Sequence, residues 1–332
     1  MTMTATIVPV GQARRASLIA VDWHGVTQWA RRVVIVAVVV IGTVLLVRQA
    51  PTLGRGFLAA VHANPAGLIL TGLLGAATYA AAAVAITAAS GRSLRFGRTT
   101  AVQLAAACTN RLAPAGLGGM ATNACYLQRD GATRTQAVAA VGVTSAASFV
   151  VHLIASVVVL VLVGQPVGGA SIPLPSAMPL LVGLVLATAV GALLARRYGA
   201  RITAAARELW AAVTPLWSDP RRLGHLVVGT VGVTLGHGLA FAVAASACGV
   251  HLSVLQLLAV FLAGSAIGST APTPGGLGAL EAALVAGVIA FGAAAAPAVA
   301  GVLTYRLITY WLPILPGAIA LKILRRDVLI RV

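Results

Sequence analysis

The stretch GSTAPTPGGLGALE, residues 268–281, decides how the chain is read. It lies between two apolar runs too short to cross a membrane alone. Pro272 and Pro274 each remove a backbone donor, and Gly275, Gly276 and Gly278 permit turns that other residues resist. A bilayer core tolerates such irregular backbone only where it is buried in protein or lines a wet cavity. The stretch therefore predicts a broken helix inside a helical bundle. Glu281 opens the helix that follows and is the only carboxylate between Asp219 and the C-terminal tail.

The same pattern occurs earlier. Residues 113–120 read APAGLGGM against TPGGLGAL at 273–280, so Pro114, Gly116 and Gly118 match Pro274, Gly276 and Gly278, with Gly119 beside them. Downstream the offset grows by one residue and sets Gly131 on Gly292. Short interrupted apolar segments at matching places in two halves are the sequence sign of a duplicated transporter.

Composition bounds the class. Of 332 residues, 59% are hydrophobic and 9% charged, too few charges to cover a water-soluble domain of this size. Runs approaching the roughly 20 residues needed to cross hydrocarbon predict full spans near 30–47, 66–89, 135–163, 179–195, 223–247 and 298–321. The net charge of +17 invites a nucleic-acid reading, but most arginines fall in short loops, where they set membrane orientation instead. Cys108, Cys125 and Cys248 show no metal or disulfide spacing, and no cofactor is expected. Asp22-Trp23-His24 lies in a polar tail with no partner cluster.

Orientation follows from the arginines. With the N-terminus inside and each broken unit returning to its own side, the basic stretches at 14–32, 92–98, 129–134, 196–222 and 322–331 all become cytoplasmic, as does the C-terminus. The first hairpin then enters from inside and the second from outside. The expected fold is all-α and polytopic, with about six full spans and two opposed re-entrant helical hairpins in an inverted repeat. Its parts are an arm and first span (1–65), repeat 1 (66–164), a linker span with a basic, partly amphipathic loop (165–222), and repeat 2 with a basic tail (223–332).

The segments TNRLAPAGLGG (109–119), YLQRDG (126–131), APTPGGLGALEAAL (271–284) and YRLITYWLPILPG (305–317) resemble the transmembrane flippase-like family, which includes the membrane half of bacterial lysylphosphatidylglycerol synthase. The resemblance spans about residues 30–325. It implies a protein of the bacterial inner membrane that moves lipid between leaflets, with an aminoacylated phosphatidylglycerol as one cargo. Relatives that accompany glycosyltransferases imply a second possibility, translocation or scaffolding for polyprenyl-linked or glycolipid synthesis. A glycosyltransferase or an aminoacyl-lipid synthase is the partner implied. No counterpart of the synthase's soluble domain is present in this sequence, and no enzymatic activity is expected. The family's first motif commonly carries a glutamate after its glycines; here Met120 and Ala121 stand there.

Candidate transport residues follow from cost. Ionisable groups within spans are expensive and line cavities or pair with each other. Arg111, at the first tip, suits a lipid phosphate held bidentately beside the N-terminal amides of the next helix, or else caps carbonyls of the break. Counting 1.5 Å per residue, back from Ala296 to Glu281 and on from Ala298 to Arg306, sets the two about 10 Å apart in depth, room for a head group or water between them. Asn110, Asn123 and Thr273 suit freed backbone groups, and Tyr305, Tyr310 and Trp311 combine packing with cavity lining. His152 and His237 read as packing histidines, and Gly292 as a glycine within a helix.

The arginine asymmetry makes a prediction. In a background lacking the native cysteines, Ala170→Cys should be labelled by an impermeant thiol reagent on intact cells, and Trp210→Cys only after permeabilisation. Labelling of position 210 from outside would overturn the topology.

Overall fold

The computed structural model describes residues 61, 63–111, 117–164, 214, 218–271 and 273–329, which all fall within one compact unit spanning 51–332. Among these residues there are helices and no strands. In chain order they are α1 (Pro65–Ser90), α2 (Phe96–Asn110), α3 (Leu117–Arg129), α4 (Arg134–Gly164), α5 (Pro220–Ala247), α6 (Val254–Thr270), α7 (Ala279–Ala290), α8 (Ala295–Arg306) and α9 (Ile314–Leu329). A one-turn π segment, Leu307–Trp311, joins α8 to α9. Four stretches, 65–90, 134–163, 220–247 and 295–324, are long and apolar enough to cross a membrane. The spans expected at 30–47 and 179–195, and most of the surface segment after 195, lie outside the described residues, as do Pro114, Gly116 and Pro272.

Local sequence explains the helix ends. Asn64 and Asp219 each precede a proline and accept bonds from first-turn amides, so α1 and α5 start on the same N-cap-proline device. Ser253 with Gln256, and Thr133 with Gln136, exchange the reciprocal bonds of a capping box at the starts of α6 and α4. At the other termini Gly131 and Gly292 take φ of +90° and +94°. Each is followed by an amide that reaches back five residues, Ala132 to Leu127 and Ala293 to Val288. The glycine pair aligned in sequence thus ends α3 and α7 with the same left-handed cap. Gly292 is a turn residue, not a helix-interior one as its apolar surroundings suggest.

Packing sets the order of the two halves. α1 and α5 run antiparallel: Asn64 N–H donates to Ala247 O at one end, and Arg222 Nη2 donates to Ala88 O at the other, 3.1 Å each. Small residues allow the close approach, since a Cβ at Gly229 would lie 2.6 Å from the Ala85 nitrogen and one at Gly67 2.6 Å from the Ala247 Cβ. Hydrocarbon gives helices no hydrophobic reason to associate, so such contacts carry the interface. α1–α4 and then α5–α8 repeat one element order from antiparallel starting helices.

The short helices form two hairpins that leave and return at opposite ends. α2 departs near Arg92, and α3 comes back to it, where Arg92 pairs with Asp130 at 3.1 Å. α6 departs from the Cys248 end, and α7 returns there, with Ala300 of α8 packed on Ala63 and Cys248. The first tip closes tightly: a side chain at Gly118 would collide with the Thr109 carbonyl and one at Gly119 with the Asn110 amide. The second tip bends through Gly275, Gly276 and Gly278, all at positive φ.

Two alanine variants test this geometry. Left-handed backbone costs a non-glycine residue roughly 1–2 kcal/mol, and Gly292 has nothing within 4 Å of an added Cβ, so Gly292→Ala should lose about that much. Gly276, at φ +67°, would also set its Cβ 2.8 Å from the Gly268 carbonyl oxygen, and Gly276→Ala should lower the melting temperature further. Equal shifts would mean the second tip relaxes freely.

Candidate functional site

Arg111 at the end of α2 and the bend at residues 275–278 converge on the end of α8 and the segment that joins it to α9. The cause is visible in sequence. Pro313 has no N–H, so the Thr309 carbonyl four residues earlier has no α-helical partner. The chain adjusts with a π turn, in which Leu312 N–H donates to Leu307 O at 2.8 Å. Arg111, the C-cap of α2, takes the vacant acceptor by donating from Nη2 to Thr309 O at 3.2 Å. Its guanidinium carbon also stands 4.6 Å from the centre of the Tyr310 ring. The Arg111 Nε is buried without a hydrogen-bond partner. Among the described residues, no carboxylate pairs with Arg111.

Arg306 reaches the same ring from α8, 4.0 Å from its centre. It donates from Nε to Glu281 Oε1 at 2.5 Å and from Nη2 to Gly275 O at 3.2 Å. Glu281 in turn accepts the Gly278 N–H on Oε2 at 2.7 Å, which fastens the break to the start of α7. The 10 Å gap expected between Glu281 and Arg306 is therefore absent. The turn between α7 and α8 occupies 291–294, not Ala296, so the two side chains sit about 15 and 18 Å from it and come level. With the side chain of Arg306 8% exposed and that of Glu281 22%, this is a largely buried ion pair.

The polar tip residues hold backbone and one another. Asn110 Oδ1 accepts the Gly119 N–H at 2.5 Å, so that amide of α3 is not free for an anion. Asn123 donates to Gly119 O and exchanges bonds with Gln103, and Thr273 donates to Leu277 O at 3.0 Å. Tyr305 is buried beside His237, its hydroxyl 3.3 Å from Nδ1, and packs edge-on against Phe241 and Phe261. His152 Nε2 lies 3.1 Å from Leu262 O and ties α4 to α6. Arg111, Glu281 and Arg306 are thus brought together, while Tyr305 lies behind them in the core. Sequence reasoning grouped Tyr310 with Tyr305 and passed over Thr309; the signal for both was Pro313.

Residues 29–317 match the family model described as lysylphosphatidylglycerol synthase TM region. The chain belongs to that family and is a membrane protein. No curated protein matches it.

The ion pair sets an expected outcome for stability. Glu281→Gln leaves a buried guanidinium without its counter-charge and should cost about 3 kcal/mol in detergent unfolding. Removing both charges, with Arg306→Gln in addition, should recover part of that loss. A single variant as stable as wild type would show that the pair does not hold the second tip.

Proposed function

We propose that this member of the lysylphosphatidylglycerol synthase TM region family is a lipid translocator of the bacterial inner membrane, without enzymatic activity. In this reading α2–α3 and α6–α7 enter the bilayer as re-entrant hairpins from opposite faces, the basic ends and both termini being cytoplasmic. The observation that carries the proposal is the charge of the tip cluster. Two guanidiniums share the Tyr310 ring, and the only carboxylate against them among the described residues, Glu281, is committed to Arg306. One positive charge is left over at Arg111.

An uncompensated cation in apolar surroundings is costly and calls for an anion or water. The protein supplies Arg111 with one neutral carbonyl, the Tyr79 hydroxyl and an aromatic face, all weaker partners than a phosphate bound bidentately. A lipid phosphate can displace the Thr309 carbonyl without breaking an ion pair. The head group then occupies the polar region between the tips while the acyl chains stay in hydrocarbon. Arg306 and Glu281 hold the second tip in shape rather than binding cargo directly.

Purified protein in vesicles tests the proposal, with labelled phosphatidylglycerol, its aminoacylated form and a polyprenyl phosphate as candidate cargo. Wild type should equilibrate at least one of these between leaflets. Arg111→Gln, which loses a charge-assisted contact worth about 1.5–3 kcal/mol, should slow it roughly tenfold or more per folded molecule, with the folded fraction read by melting on the same sample. Wild-type rates from that variant, or no lipid movement by the wild-type protein, would overturn the reading.

A further inference from the structure

The cytoplasmic end of the proposed topology carries a second lipid-shaped feature, remote from the tips. Arg95, the N-cap of α2, and Arg98, in its first turn, line one side of a groove, and α9 presents Pro316, Ile319, Ala320 and Ile323, the i, i+3, i+4, i+7 stripe of a helix, on the other. The groove has a volume of about 410 Å³. Its deeper end is shut where Gly317 lets α9 press on α2, a Cβ there meeting the Leu104 carbonyl oxygen at 2.7 Å. Its walls remain open, with Ile319 59% and Ile323 55% exposed.

Charge distinguishes this groove from an ordinary lipid-facing surface. Both arginines are exposed, and Asp130 and Glu281 are taken by Arg92 and Arg306 rather than by either of them. The apolar stripe runs about 10 Å along α9, enough for the upper part of one acyl chain. A basic mouth over an apolar wall matches a lipid whose phosphate is charged and whose tail is not, whereas free phosphate has no use for the wall. The feature lies at the end where α2 begins, while Arg111, which ends α2, is about 20 Å further along that helix.

We propose that this α2–α9 groove is a binding site for an anionic phospholipid of the leaflet on the Arg95 side. The site is separate from the tip cluster and stands whether or not the chain moves lipid. It holds the phosphate on Arg95 and Arg98 and one acyl chain against Ile319 and Ile323.

Delipidated full-length protein, titrated with phosphatidylglycerol, phosphatidylcholine or inorganic phosphate and read by native mass spectrometry, tests it. Phosphatidylglycerol should be retained, phosphatidylcholine held far more weakly, and inorganic phosphate should not compete at equal concentration. Arg95→Gln should weaken phosphatidylglycerol about fivefold, and the Arg95→Gln/Arg98→Gln pair on the order of thirtyfold. Ile319→Trp, at an exposed position that leaves the fold intact, should weaken it by filling the groove. All variants are made in an Arg111→Gln background, so that lipid at the tips does not enter the titration. Retention by the double arginine variant or by Ile319→Trp at the strength of that background would overturn the proposal. So would absence of phosphatidylglycerol from the Arg111→Gln background itself, which would place the lipid at the tips, or effective competition by inorganic phosphate.

Discussion

A helix broken inside hydrocarbon releases amides and carbonyls that lipid cannot bond, and every one of them needs a partner from the protein. On the proposed reading the tips of this bundle lie within the bilayer and are built around that constraint. Asn110 holds the Gly119 amide, Glu281 the Gly278 amide, Thr273 the Leu277 carbonyl, and Arg306 the Gly275 carbonyl. A further loose acceptor, on Thr309, is created by Pro313 and taken by Arg111. Satisfying the backbone of two hairpins and one span therefore brings two guanidiniums onto a single tyrosine ring.

The two halves meet the same demand with different chemistry. In the second repeat a carboxylate caps the break and a span arginine answers it. The equivalent of Glu281 in the first repeat falls on Met120 or Ala121, and the equivalent of Arg306 on Ser145, whose hydroxyl donates to its own helix at Val141 O. There the cap comes from neutral Asn110, and Gln103, Asn123, Thr109 and Thr122 supply a polar but uncharged seam. A symmetric duplication would carry two carboxylates and balance its arginines. Loss of one leaves the cluster cationic.

Much of this was legible in the chain. Asn-Pro and Asp-Pro mark the starts of α1 and α5, the Pro/Gly runs mark the breaks, and apolar length marks the spans, because each is a local effect of backbone chemistry. The Gly131 and Gly292 match even foretells identical helix ends, although an alanine-rich context hid Gly292's turn. Contacts between elements were harder. Misplacing one turn by a few residues separated Glu281 from Arg306 by about 10 Å, since each residue shifts a helical side chain by about 1.5 Å in depth. The π turn hid for another reason: LITYW contains neither glycine nor proline, and its cause lies downstream in Pro313.

The difference between the two arginines bears on which tip could yield to a cargo. Arg306 is held by a carboxylate, and displacing it strands a buried negative charge on Glu281 as well as freeing the guanidinium. Arg111 is held by a neutral carbonyl, whose loss strands no charge. Charge-assisted bonds between two ions are also roughly twice as strong as neutral ones. On the proposed reading an incoming phosphate therefore meets one fixed arginine and one exchangeable arginine against the same Tyr310 ring. In that reading, binding at Arg111 releases the Thr309 carbonyl and so loosens one tie between the first hairpin and the π turn, while the packing of α9 on α2 at Gly317 remains.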